Sequence, residues 1–184
     1  MSHLYVKVIG TPVPQGSKVA NRFGKGVRDS NDKTLSPWRA EVAGCIAEAM
    51  TVQHWDTLDA ACQVHITFWH ARPASHYGTG RNAGRLKPSA PTWKATAPDI
   101  DKLTRAILDA LTTSGAIRDD GREARLVVHD QYTSGTTGAD ILVAPLTQGA
   151  PMNTSTLSIT DFGSAPIVVT PEQAARVRAL IADQ

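Results

Sequence analysis

The sequence predicts an α+β fold in which a small mixed β-sheet packs with helices, followed by a separate C-terminal helix. Apolar residues alternate with polar ones in four short segments and recur at helical spacing in three longer ones. The chain has 184 residues, of which 41% are hydrophobic and 20% are charged. This composition provides enough apolar material for one core of ordinary size.

The N-terminal part of the chain is expected to form a strand, a loop and a long helix. Residues 4–9 are mostly β-branched or aromatic and end at a glycine, which predicts a strand. Residues 10–33 are rich in proline, glycine and basic side chains, which predicts a loop. Ser36 suits an N-cap and Pro37 suits the first helical position, so we expect a helix over 37–52.

The middle of the chain alternates predicted strands with one helix. Residues 61–70 alternate as a strand, and an apolar stripe over 99–114 predicts a helix. Residues 125–132 and 140–144 are expected to form a strand pair joined by a glycine-rich turn. Residues 71–97 are too long for an ordinary connection, so this stretch is expected to be either functional or mobile.

The composition changes after residue 145. Residues 146–165 have the character of a polar linker, and Thr170-Pro171-Glu172-Gln173 opens a final helix with a capping-box pattern. We therefore expect one folded domain over 1–145, with a linker and a helix of open role over 146–184.

Charge and cysteine usage exclude several classes of protein. Residues 1–98 carry 12 basic and 6 acidic side chains, whereas residues 99–184 carry 7 and 11. A protein that only coats nucleic acid is usually basic throughout, whereas this division suits an enzyme that places carboxylates beside a polyanion. No apolar run approaches the roughly 20 residues of a membrane span, and no signal-peptide pattern is present. Cys45 and Cys62 lack zinc-site spacing and are expected to be buried thiols in a reducing cytosol.

Three carboxylates stand out at the predicted helix over 99–114 and just beyond it. If Ile100 points into the core, Asp99 and Asp101 turn toward the same open side of the helix. Asp120 is expected to start a strand near the end of that helix. Hard cations such as Mg²⁺ prefer oxygen ligands, and carboxylates that share such ions suit phosphodiester cleavage.

Each carboxylate also has a purely structural explanation. Asp99 suits a helix N-cap, and Asp101 suits an i,i+4 ion pair with Arg105. Asp119-Asp120-Gly121 suits a simple turn. Spacing alone leaves both interpretations open.

A longer sequence motif around these carboxylates helps to choose between the metal-site and the structural interpretation. The chain reads Pro98-Asp99-Ile100-Asp101-Lys102-Leu103-Thr104-Arg105, then Asp109-Ala110-Leu111, then Asp119-Asp120. This order resembles the RusA family of Holliday junction resolvases, often carried by phages and prophages. The family pattern is Pro-Asp-x-Asp-Asn-Leu-x-Lys, then Asp-Ala-Leu in a helix, then Asp-Asp opening a strand. The proline-rich, basic stretch 10–18 also resembles the family, and the resemblance spans residues 4–145.

The resemblance implies an α+β nuclease domain over 1–145 that acts as a homodimer. It implies Mg²⁺ dependence, with Mn²⁺ as an expected substitute, and paired nicks across a four-way DNA junction in recombination and repair. Asp99, Asp101 and Asp120 would be the metal-binding catalytic acids, with Asp119 as a possible further member.

Two positions depart from the family pattern. Lys102 occupies the motif position where the family has asparagine, and Arg105 occupies the position of the family's catalytic lysine. Arginine keeps the positive charge but does not readily give up a proton, so Arg105 is expected to act as the catalytic cation if the lysine's role is electrostatic. If that role requires an acid or base, activity is in doubt unless Lys102 supplies the ammonium group. Two alternatives to a junction-resolving enzyme therefore stay open: a junction-binding protein with weak or no cutting, and a nuclease acting mainly on flaps or forks. The resemblance suggests the bacterial cytoplasm as the place of action.

Basic side chains are expected to contact the DNA, although solvated loops are the alternative. No acidic residue interrupts 72–98. Trp93 is expected to pack in the core, with stacking on unpaired bases as the alternative for Trp93 and Tyr77. The predicted DNA-contacting residues are Lys18, Arg22, Lys25, Arg81, Arg85, Lys87, Lys94 and Lys102.

Overall fold

The structure is a computed structural model and describes residues 3–20 and 26–146. In this part of the chain no helix is long and apolar enough to cross a membrane. The linker predicted beyond residue 146 and the final helix lie outside the described residues, as do Arg22 and Lys25. The helices and strands are β1 (Leu4–Ile9), β2 (Lys18–Ala20), β3 (Val27–Asp29), α1 (Asp32–Gln53), β4 (Cys62–Ala71), α2 (Ile100–Thr113), β5 (Glu123–Thr133) and β6 (Gly138–Pro145).

Four strands form one mixed sheet in the order β1-β6-β4-β5. β6 runs antiparallel to both β1 and β4, whereas β4 and β5 run parallel. Parallel neighbours need a long crossover connection, and α2 lies in the chain between these two strands. The predicted α+β class with a small mixed sheet is confirmed.

The hydrophobic core joins one face of this sheet to α1 and α2. Alternate residues of β1, β4 and β6 enter the core, as period-two geometry requires, and β5 adds the partly buried Val128. Fully burying one large apolar side chain contributes about 1.5–3 kcal/mol, so these residues determine which face of each helix stays open. The helices contribute Trp38, Val42, Ile46, Leu103, Ile107 and Leu111 to this core.

α1 begins more than one turn earlier than the sequence predicts. The helix starts at Asp32, with Asn31 in the N-cap position, so the predicted start at Ser36 and Pro37 is wrong. Leu35 is fully buried, and its contact with the core holds the additional turn in helical form. Pro37 therefore lies inside the helix, where it lacks an N–H for one carbonyl of the preceding turn.

One predicted strand pair and one predicted loop are wrong. β5 and β6 do not pair with each other, because β4 lies between them in the sheet. β6 is buried along almost its whole length, which suits a central strand whose two edges are both hydrogen-bonded. The predicted loop over 10–33 contains a short antiparallel hairpin of β2 and β3.

The long stretch over 72–98 folds back on itself and then onto the sheet. Backbone hydrogen bonds connect residues 76–78 with residues 85–87. Trp93 forms an antiparallel bridge with Gln131 of β5. This bridge uses the backbone and leaves Trp93 57% exposed, so the expected burial of Trp93 is wrong.

The remaining predictions of burial are confirmed. Trp38 lies in the core, and Cys45 and Cys62 are buried cysteines that form no disulfide bond. Burial, and then the negative charge of Glu123, raise the pKa of Cys62 to about 11. This thiol therefore stays protonated near neutral pH and packs as a small apolar group.

Candidate functional site

The first turn of α2 presents charged side chains to solvent. Asp99 is the N-cap residue, but its carboxylate makes no capping hydrogen bond to the helix. Asp101 and Lys102 follow in the first turn, while Leu103 is fully buried against the core. The inner face of α2 therefore packs against the core, and the two acidic residues lie on its solvent-exposed side.

The two acidic residues of this turn are each paired with a cation of the same helix. The ammonium nitrogen of Lys102 lies 2.9 Å from a carboxylate oxygen of Asp99. The guanidinium of Arg105 lies 3.6 Å from Asp101, as the structural interpretation predicted. The hydrogen bond and then the charge of Asp99 raise the pKa of Lys102. Ion pairs that are exposed to solvent are weak, so another partner readily replaces them.

Ile100 does not point into the core as expected. Its side chain is 40% exposed, and the buried stripe of α2 begins at Leu103 instead. A buried Ile100 is therefore not what orients Asp99 and Asp101.

The second acidic segment is a tight turn before β5. The carboxylate of Asp119 accepts a hydrogen bond from the backbone N–H of Gly121 at 2.9 Å and lies 3.6 Å from Arg122. Asp120 begins the 3₁₀ turn Asp120–Arg122 and so precedes the strand that it was expected to start. Asp119 is thus engaged by the turn, whereas Asp120 has no ion-pair partner within the described residues.

A groove of about 870 Å³ lies between α1, α2 and this turn. The side chain of Arg39 on α1 binds Asp109 on α2 and links the two helices. Asp99 and Asp101 do not line the groove. The charged residues that line it are Arg39, Arg105, Asp109, Asp119, Asp120 and Glu123.

Glu123 has the most perturbed carboxyl group of this groove. Burial, followed by the negative charges of Asp120 and Asp109, raises the pKa of Glu123 from 4.5 to about 7. Negative charge adds to the effect of burial here, since two arginines face four acidic residues in the groove.

The comparison with protein families identifies the family of the chain. A family model described as endodeoxyribonuclease RusA matches residues 10–143, which include both acidic segments. The chain belongs to the RusA endodeoxyribonuclease family. The match confirms the resemblance seen in the sequence, and the family acts on DNA. No curated protein matches the chain.

The carboxylates of Asp99, Asp101 and Asp120 are suitable ligands for a metal ion, but the structure does not bring the three together. Their carboxylate oxygens are the donors that Mg²⁺ prefers. Within residues 3–20 and 26–146, however, no three His, Cys, Asp or Glu side chains form a group that would hold a metal. Asp99 and Asp101 are paired with Lys102 and Arg105, apart from the groove that Asp120 lines.

The predicted DNA-contacting cations differ in how available they are. Arg81, Arg85 and Lys87 are exposed. The side chain of Lys18 is 56% exposed, although it pairs with Asp29 at 3.1 Å. These four positions are available to phosphates.

Lys94 differs from its prediction. Its side chain is only 6% exposed, and its ammonium lies 3.5 Å from the buried carboxylate of Asp130. Burial removes Lys94 from the set of residues that reach a DNA phosphate.

Sequence reasoning missed three residues of the groove. Arg39 and Asp109 meet only because α1 packs on α2, which no local pattern reveals. Glu123 follows Asp120 by three residues, but nothing in that spacing indicates that both face one groove. Asp109 does belong to the family motif, and that was the one available signal.

Proposed function

We propose that the chain is a structure-selective endodeoxyribonuclease that resolves four-way DNA junctions by paired nicks. One observation carries the proposal. Arg105, on the helix that opens with one acidic segment of the family motif, and Asp120, in the other segment, line the same groove. The RusA family match supports nuclease activity on DNA, and the junction as substrate is the finer part of the proposal.

The proposed cofactor is Mg²⁺, with Mn²⁺ as a substitute, held by Asp99, Asp101 and Asp120. The support is electrostatic, because a groove with more carboxylates than guanidiniums repels a DNA phosphate. When bound, the cation supplies positive charge against the phosphate oxygens. The exposed pairs of Asp99 with Lys102 and of Asp101 with Arg105 are weak enough to open for such an ion.

Arg105 is proposed to fill the role of the family lysine. It pairs with Asp101 and also lines the groove beside Asp120. A guanidinium stays charged at all working pH values and donates to two phosphate oxygens at once. We therefore assign Arg105 an electrostatic role on the phosphate and no role in proton transfer.

The DNA arms are proposed to lie against exposed cations outside the groove. Arg81, Arg85 and Lys87 belong to a stretch without acidic side chains, and Lys18 and Lys102 add to the same charge. Arg22 and Lys25 stay predicted members of this set. Contacts to phosphates hold a duplex without reading its bases, which suits an enzyme that recognises shape.

A homodimer is proposed as the active form. A four-way junction has two-fold symmetry, and its resolution needs cuts in two opposed strands. A closed two-fold pair of chains supplies one site for each strand.

The test is nicking of a labelled synthetic four-way junction with and without Mg²⁺. We expect symmetric nicks only with the metal, and Asp101→Asn should abolish them while leaving junction binding nearly unchanged. Asp56→Asn removes an exposed carboxylate elsewhere and is the matched control. A gel shift without any product would instead favour the junction-binding alternative. Faster cutting of flaps or forks than of junctions would favour the second alternative.

A further inference from the structure

Three ionisable side chains meet beneath the segment that leads into α2. The ammonium of Lys94 lies 3.5 Å from one carboxylate oxygen of Asp130, and each side chain is 6% exposed. The Nε2 atom of His70 lies 2.7 Å from the other oxygen of Asp130, and the His70 side chain is 11% exposed. The cluster joins β4, β5 and the stretch over 72–98.

The charges of this cluster balance. Burial is the largest effect on His70 and lowers its pKa, and the charge of Lys94 acts in the same direction against the opposing effect of Asp130. His70 is therefore neutral near pH 7, and the pair of Lys94 and Asp130 carries opposite charges. A buried ion pair costs desolvation that apolar residues of the same size would avoid. Stability alone therefore does not require these residues.

The remaining contacts of Lys94 show what it holds. Its ammonium donates to the carbonyl oxygen of Thr96 at 2.6 Å and reaches that of Pro98 at 3.5 Å. Its backbone N–H donates to the carbonyl oxygen of Asp130 at 2.9 Å. Lys94 thus attaches the residues just before Asp99 to strand β5.

This attachment matters because α2 fixes the carbonyl end of Asp99, whose oxygen accepts hydrogen bonds from the backbone N–H groups of Lys102 and Leu103. The Asp99 carboxylate makes no capping bond to α2, and its ion pair with Lys102 is exposed to solvent. The direction in which the chain enters Asp99 therefore depends on the residues before it, and Lys94 holds those residues through the carbonyl oxygens of Thr96 and Pro98.

We propose that Lys94 is a positioning residue of the nuclease site. Asp130 holds Lys94 in place, and Lys94 in turn sets the position of Asp99 at the start of α2. This inference rests on the proposed function. Lys94 acts through the carbonyl oxygens of Thr96 and Pro98 and does not itself touch the DNA.

The experiment compares Lys94→Met, Asp130→Asn and the double variant with the wild-type chain. We expect the nicking rate of Lys94→Met at saturating junction and Mg²⁺ to fall about 10- to 100-fold, as for other residues that orient ligand side chains. Junction affinity should stay within about threefold, since Lys94 is buried. Lys7→Met, on β1, is the matched control and should nick like the wild-type chain.

The double variant separates positioning from folding. Each single variant leaves a buried charge without its partner in the Lys94–Asp130 pair and should melt at a lower temperature, whereas the double variant removes both charges and should regain much of that loss. Nicking should stay low in the double variant, because the link to Thr96 and Pro98 is still absent. Recovery of nicking together with stability would overturn the proposal.

A readout independent of cutting is hydrogen exchange of the amides over 96–102. Lys94→Met should speed their exchange relative to the core amides of β4 and β6. Unchanged exchange would overturn the positioning role. If the wild-type chain cuts no junction, the proposed function is contradicted. If the wild-type chain cuts and Lys94→Met cuts at the same rate, only the positioning role is contradicted.

Discussion

The guanidinium of Arg105 lies 3.6 Å from Asp101, and the same side chain lines the groove beside Asp120. It stands where the RusA motif has a lysine. Arginine and lysine side chains are both positively charged, but only lysine has a pKa low enough to exchange a proton in catalysis. Substitution at this position therefore separates an electrostatic role from a proton-transfer role.

We expect Arg105→Ala to lower single-turnover nicking of a junction about 100-fold, since one charge that stabilises the reacting phosphate is lost. Arg105→Lys should stay within about tenfold of the wild-type rate because the charge is kept. Arg81→Ala is a control for general loss of positive charge and should weaken DNA binding more than cutting at saturation. Wild-type nicking by Arg105→Ala would contradict the proposed role.

Glu123 makes stability depend on pH in a defined direction. Its pKa is raised to about 7 in the folded chain, so folding favours its protonated form. The stabilisation that this protonation contributes is complete below the unfolded pKa of 4.5 and is lost as the pH rises through about 7.

In EDTA, the free energy of unfolding of the wild-type chain should fall between about pH 5 and about pH 8 relative to that of Glu123→Gln. The glutamine cannot ionise, so the variant lacks this part of the pH dependence. Urea unfolding of both proteins at several pH values measures the difference. Parallel pH profiles would show that Glu123 does not titrate in this range.

Chemically similar residues of one stretch have opposite environments. Arg81 is exposed, whereas the side chain of Lys94 is buried against Asp130. The sequence placed both among the DNA contacts because both are cations in a stretch without acidic residues. Their difference depends on a carboxylate of β5, which local sequence does not reveal.

The central strand β6 depends on close backbone contact with β1. Gly138 pairs with Ile9 at the beginning of β6 and has a φ of +152°. A Cβ atom at Gly138 would overlap the carbonyl oxygen of Val8. Only glycine therefore fits this end of the β1–β6 ladder.

We expect Gly138→Ala to lower the free energy of unfolding by at least about 2 kcal/mol, because backbone on β1 must move. Gly135→Ala is the matched control. A Cβ atom at Gly135 would lie 3.5 Å from the nearest atom, the hydroxyl oxygen of Thr133. The control should change stability by less than about 1 kcal/mol. Equal urea midpoints for the two variants would contradict this account of β6.

A helix or strand could be predicted where the residues that determine it lie close together in the sequence. The apolar stripe of α2 predicts the helix well, because Leu103, Ile107 and Leu111 follow one another at helical spacing. The start of α1 was not predictable, since the burial of Leu35 overrides the capping signal at Ser36. The partners of β6 were not predictable either, since pairing joins residues far apart in the chain.

At the scale of the whole molecule, opposite charges are separated on the surface. The groove is acidic, whereas the exposed part of the 72–98 stretch is basic. An arrangement of this kind suits an enzyme that binds DNA arms broadly and meets the cut phosphate with carboxylates and a cation. In a dimer the pattern repeats by two-fold symmetry, which is why we expect the nicks on a junction to come in symmetric pairs.

The amino-acid sequence by itself determined the class of fold, the main apolar faces and the RusA motif. These features depend on residue type and short spacing, which need no knowledge of distant contacts. Only the tertiary structure decided that Asp120 and Glu123 share a groove with Arg39 and that Lys94 lies buried beneath the start of α2. Those facts depend on which elements pack together, because the free energy of a buried charge is set by partners from elsewhere in the chain.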